Sequence, residues 1–161
     1  MKILLIVFVS LLTKYSFGQN YIDKTREKSK SKLLKYSKSV KFNTITTETD
    51  TTILLQIRDS SFHQADFKLF FDAEGICYKE LDIESCDSCY KKMIARIIGY
   101  KHYRWVKVDD KTYISRPPYR LILTLESEGA FSYTIRKSKL AGSDYRRKVE
   151  SIIAANKMDK E

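Results

Sequence analysis

Two stretches of alternating apolar and polar residues, each folded back on a glycine-bearing turn, commit this chain to antiparallel sheet more firmly than any other feature. In the first, apolar runs flank Asp72-Ala73-Glu74-Gly75. In the second, Leu121, Leu123 and Leu125 lead into Glu126-Ser127-Glu128-Gly129, and Phe131, Tyr133 and Ile135 lead out. A two-residue period belongs to a half-buried strand, and a glycine closing a short loop supplies the left-handed residue such a turn wants. The spacing predicts hairpin strands near 66–72 and 76–83.

Around these hairpins the other elements follow. Ile53, Leu55 and Ile57 alternate with Thr52, Gln56 and Arg58, a further strand. Trp105–Val108 and Thr112–Ile114 flank Asp109-Asp110-Lys111, which reads as a turn, and Arg116-Pro117-Pro118 interrupts the ladder because proline donates no hydrogen bond. Ser85 or Asp87 caps a helix through Ile98, with Tyr90, Met93, Ile94 and Ile97 at helical spacing and Gly99 as its stop. A last helix follows Gly142-Ser143 and carries Tyr145, Val149, Ile152 and Ile153. Residues 22–38 form a polar helix docked through Leu33 and Tyr36.

Glu74-Gly75 and Glu128-Gly129 are 54 residues apart, and the trios Ile94, Ile97, Ile98 and Val149, Ile152, Ile153 are 55 apart. A unit of strands, hairpin and helix is thus expected twice, over 42–98 and 103–156. The fold class is α+β: an antiparallel sheet with helices packed on one face, preceded by a basic helix.

Residues 1–18 carry an address. Lys2 precedes the apolar run Ile3–Leu12, and Ser16-Phe17-Gly18 offers small residues before a cut at Gln19, the pattern of a secretory signal peptide. A ten-residue run is too short for a transmembrane helix, which takes about 20. The 143 residues from 19 to 161 have the size of one domain. The expected location is periplasmic or secreted. The leader holds two of the 30 Lys and Arg and none of the 20 Asp and Glu, so the remainder carries +8. A basic exported protein meets anionic surfaces: lipid headgroups, acidic polysaccharide or released nucleic acid.

Cys77, Cys86 and Cys89 are the three cysteines. An oxidising compartment favours a disulfide, and the expected one is a staple from Cys77 on the hairpin to Cys86 or Cys89 at the helix start. The competing use of Cys86-Asp87-Ser88-Cys89 is redox, because a helix N-terminus stabilises a thiolate; Asp87 opposes it by like-charge repulsion. Cys77, Cys86, Cys89 and His102 nominally make four zinc ligands, but the first spacing is unlike a zinc finger's, and no metal or other cofactor is expected.

Catalytic motifs are lacking. His63 sits in a polar loop and His102 among Tyr100, Lys101, Tyr103 and Arg104. The carboxylate pairs Asp82 with Glu84 and Asp109 with Asp110 fall where turns and caps account for them. The basic stretch from Lys24 to Lys41 holds eight cations against Glu27. Within it Lys28, Lys30, Lys32 and Lys35 are the expected anion-binding residues, joined by Tyr103, Arg104 and Trp105, where aromatic and basic side chains interleave. The function expected is therefore that of a non-catalytic envelope protein binding an anionic surface or polymer, or a protein partner. A thiol–disulfide protein using Cys86 and Cys89 is one alternative, and a secreted inhibitor or immunity-type protein the other.

Overall fold

The structure, a computed structural model, describes residues 21–40, 42–58, 64–126 and 131–158. The leader 1–18, Lys41, His63 and Gly129 lie outside these residues, and with Gly129 the proposed equivalence of the two turn glycines. Among the described residues three helices, α1 (Arg26–Ser39), α2 (Asp87–Gly99) and α3 (Gly142–Met158), accompany eight strands. The strands are β1 (Asn43–Glu48), β2 (Thr52–Arg58), β3 (Gln64–Phe71), β4 (Cys77–Glu84), β5 (Val106–Lys107), β6 (Thr112–Ile114), β7 (Leu121–Leu125) and β8 (Phe131–Lys137). Gly75, at φ +73°, turns the β3–β4 hairpin in the left-handed region where a side chain would be strained.

All strands join one antiparallel sheet in the order β1-β2-β3-β4-β8-β7-β6-β5. Two four-stranded meanders therefore meet where β4 pairs with β8. The class is α+β, with a helix leading. Each meander is covered by the helix that precedes it. Leu33 and Tyr36 of α1 pack with Ile53, Leu55, Phe67 and Leu69, and Ile94 and Ile97 of α2 pack with Leu121, Leu123, Tyr133 and Ile135. Ile22, just before α1, touches both clusters. The units expected over 42–98 and 103–156 place each helix after its strands, whereas packing groups each meander with the helix before it.

One face holds α1 and α2, as expected, but α3 departs from that arrangement. Val106, Ile114 and Ile122 are cross-strand neighbours, and they bury against Tyr145 and Val149 of α3. Along β7, Leu121 and Leu123 join the α2 cluster while Ile122 between them joins that of α3. Side chains alternate across a strand, so α3 covers the opposite face at the β5–β7 end. The Tyr145 hydroxyl fastens it, donating to the backbone oxygens of Ser115 (2.8 Å) and Leu121 (3.0 Å).

A bulge sets the parity of the central strand. Phe70 pairs with Lys79, but Phe71 pairs with Cys77, which leaves Tyr78 as the extra residue. Without it, Lys79, Leu81 and Ile83 would follow Cys77 toward the core. With it they face outward, and Glu80, Asp82 and Glu84 turn in. Each then lies between apolar or aromatic neighbours: Glu80 between Leu69 and Ile135, Asp82 between Phe67 and Tyr133, Glu84 between Ala65 and Phe131.

Candidate binding surface

Thr25 starts α1, its hydroxyl accepting from the amide of Lys28. Ser29 and Leu33 are the buried residues of the helix, and this inner face fixes where the cations go. Lys28, Ser31, Lys35 and Lys38 succeed one another at steps of three and four residues, the repeat that keeps side chains on one helix ridge, and Lys24 lies just before the helix begins, lining the same groove as Lys28. None of these four lysines makes an ion pair among the described residues.

Two of the cations named from the sequence serve the fold instead. Lys30 Nζ lies 2.7 Å from Glu48 Oε1. Arg26 joins it, donating to the Asp50 oxygen (2.9 Å) and to that of Thr49 while covering the Phe71 ring. These contacts tie α1 to the β1–β2 turn. Lys32 Nζ sits 5.7 Å from the Tyr21 ring centre, where burial lowers its pKa and neighbouring Lys24 adds to the effect. Lys28 and Lys35 remain on the exposed ridge.

The Tyr103–Trp105 segment is a loop between α2 and β5, not an open sheet face. Tyr103 is buried in the α2 cluster, Trp105 is half-buried and Arg104 is exposed at φ 45°. Tyr103 is central to a set of rings: Tyr119 at 4.9 Å, His102 at 5.1 Å, Tyr100 at 5.6 Å and Trp105 at 5.8 Å between centres. Of the three residues named for binding there, Arg104 and Trp105 are accessible, and Tyr103 acts as the pedestal beneath Trp105. The ridge and this loop belong to different packing clusters.

The Cys77 staple does not form: the disulfide joins Cys86 and Cys89, and Cys77 is a free, buried thiol. Seven residue steps of extended β4, about 3.3 Å each, separate Cys77 from Glu84, so Cys77 lies some 20 Å or more from Cys86. A disulfide spans at most about 7 Å between Cα atoms. The same distance keeps Cys77 from sharing a metal with the other two cysteines. Burial and nearby Glu80 push the Cys77 thiol up to about 12. Alkylation of the native protein followed by mass analysis should find Cys77 as the single free thiol, modified only after unfolding. Any disulfide to Cys77 would contradict the arrangement.

Sequence reasoning missed the acidic column. Asp109 does cap its turn, accepting from the amides of Lys111 (2.9 Å) and Thr112 (2.8 Å), but Asp82 and Glu84 do not lie in turns. Glu80, Asp82 and Glu84 are 4%, 2% and 5% exposed. Glu80 Oε1 accepts the amides of Tyr21 and Ile22, both at 3.1 Å; the Tyr133 hydroxyl donates to Asp82 Oδ2 at 2.8 Å. Glu80 Oε2 and Asp82 Oδ1 are buried without a hydrogen-bond partner among the described residues. Burial pushes Glu80 up to about 8, against the lowering effect of the two amides, and Asp82 adds to the rise. Burial likewise holds Asp82 well above the carboxylate range, reinforced by Glu84. A folded value near 8 leaves Glu80 mostly protonated at neutral pH, which is how a buried carboxyl escapes the cost of an unpaired charge. The sequence signal was Glu-x-Asp-x-Glu at strand period.

Among the described residues no group of His, Cys, Asp and Glu is arranged to hold a metal ion, and no helix is long and apolar enough to cross a membrane. Compared with protein families, with curated proteins and with solved structures, the chain finds no match.

Proposed function

We propose that this chain is an exported, non-catalytic binding protein of the cell envelope whose outer helix ridge engages an anionic surface or polymer. The observation that carries the reading is the ridge Lys28, Lys35 and Lys38 on a docked helix, with Lys24 just before it: four cations without ion-pair partners among the described residues. The Lys2, apolar-run and Ser16-Phe17-Gly18 pattern supports export, and a Cys86–Cys89 disulfide suits an oxidising compartment. Lysine, a compact and strongly hydrated charge, suits a diffuse electrostatic partner better than a single bidentate ligand.

Replacing the four ridge lysines with Gln should leave stability almost unchanged, since exposed substitutions usually move it within about ±0.5 kcal/mol each. Retention on heparin and on anionic vesicles should fall. The slope of log affinity against log salt should flatten by about one unit per lost contact, as fewer counterions are released. Elution of the variant at the wild-type salt concentration would reduce the ridge to a solvated surface.

A second reading has its own support. The Cys86–Cys89 disulfide opens α2, with the Cys86 sulfur accepting the Cys89 amide at 3.0 Å and both cysteines partly exposed. A thiol–disulfide protein would use that position: glutathione attacks one sulfur, and a second glutathione releases the dithiol and forms glutathione disulfide. Reduction that equilibrates with a glutathione couple within minutes favours this use. A bond that persists in millimolar glutathione makes it a structural cap.

A further inference from the structure

The fold assembles a second cationic feature, far along the chain from the ridge. A shallow groove runs between the loop before β5 and the C-terminal turns of α3. It is lined by Trp105, Lys107, Arg116, Ile153, Asn156 and Lys157, with Val106 at its base. The amide of Arg116 donates to the Tyr103 oxygen at 2.9 Å, which seats Arg116 beside Trp105. Asn156 Nδ2 donates to the Lys107 oxygen at 2.8 Å, which holds α3 against β5. The lining contains three cations, an amide and no carboxylate, although Asp110 holds the Lys107 ammonium at 2.8 Å from outside.

Trp105 is fixed against Tyr103, and its Nε1 is buried without a partner among the described residues. Trp105 lines the groove with its Nε1 turned into the protein.

We propose that this groove binds one unit of an acidic saccharide, a hexuronate or sulfated hexose, with the sugar ring against Trp105 and its acid group on Arg116 and Lys157. Guanidinium geometry matches a carboxylate or sulfate through two parallel hydrogen bonds. A single aromatic face ringed by cations suits a unit carrying its charge on the ring itself. Single-stranded nucleic acid is read by successive bases on successive aromatics, and the groove has one. The site is separate from the ridge and would remain if the ridge reading failed.

Trp105 is the only tryptophan in the chain, so its fluorescence reports on this groove directly. The chain from Gln19 is titrated with a galacturonate hexamer, with the neutral malto-hexaose, with inorganic sulfate and with a thymidine oligonucleotide of matched charge. A saturable emission change with the uronate, absent with the glucan and with sulfate, is expected. Arg116→Gln and Lys157→Gln, both at exposed positions, should each weaken it about tenfold, the scale of one charge-assisted hydrogen bond. The four-lysine ridge variant should bind as wild type. No saturable change, an equal response to sulfate, tighter binding of the oligonucleotide, or indifference to both substitutions would each overturn the proposal. Loss of heparin retention in the ridge variant tests the ridge alone.

Discussion

The melting temperature of this protein should rise by about 10 °C as the pH is lowered from 8.5 to 5, and Glu80→Gln should remove most of that rise. In the unfolded chain a glutamate titrates near 4.3; folded, Glu80 is pushed up to about 8 by burial. Between these values the unfolded chain has lost a proton that the folded protein keeps, so folding takes one up. The associated stability is fully present below about 4.3 and is lost as pH rises through 8. Within that window each pH unit costs about 1.4 kcal/mol. A few kcal/mol across the range tested corresponds to roughly 10 °C for a domain of this size. Asp82, also raised by burial and by Glu84, acts in the same direction.

The charged and titratable groups around the column are Tyr21, Lys24, Lys32 and Tyr36 on the α1 side, Tyr103 and Arg96 on the α2 side, and Cys77, Asp66 and Tyr133 in the sheet. Tyr103 and Tyr133 are pushed upward, burial first and the carboxylates next, so they stay neutral throughout the window. In Glu80→Gln the amide oxygen still accepts from Tyr21 and Ile22, and the variant should be more stable than wild type at pH 8.5. A melting temperature flat or rising toward pH 8.5 in the wild type would mean that the column is ionised and solvated.

Leu33→Ala should be the most damaging substitution in α1, costing about 2–5 kcal/mol. Leu33 is 1% exposed and packs among Ile53, Leu55, Phe67 and Leu69. Its neighbour Leu34 is 39% exposed, and Leu34→Ala should stay within about ±0.5 kcal/mol. Denaturant midpoints give both values. Because Ser29 and Leu33 are the helix's buried residues, the loss should fall first on α1, and amide exchange over 26–39 should accelerate before that of β2 and β3. Equal losses for Leu33→Ala and Leu34→Ala would show that α1 is not held by its inner face. An unseated α1 also scatters the ridge, so Leu33→Ala should weaken heparin retention without removing a charge.

Most elements were legible in the sequence because each is set by local chemistry. Alternation located β2, β7 and β8; Gly75 located the first hairpin; the spacing of Ile94, Ile97 and Ile98 located α2 to within a residue. The lysines of α1 were visible too, but which of them stay unpaired depended on Glu48 and Tyr21, which the fold carries to Lys30 and Lys32 from other elements.

What tertiary structure decided was direction. The sequence of β4 gives two alternating sets, one apolar and one acidic, and burial alone would choose Leu81 and Ile83 for the core. The extra residue at Tyr78 makes the opposite choice, because side-chain parity propagates along a strand and the paired neighbours Phe67, Leu69, Tyr133 and Ile135 fix it on both sides. The cysteine pairing followed for the same reason: extended strand sets a distance that no count of residues in a motif reveals. Local sequence determined which residues form strands and helices; the register between strands determined which chemistry faces inward, since register is a property of partners distant in the chain.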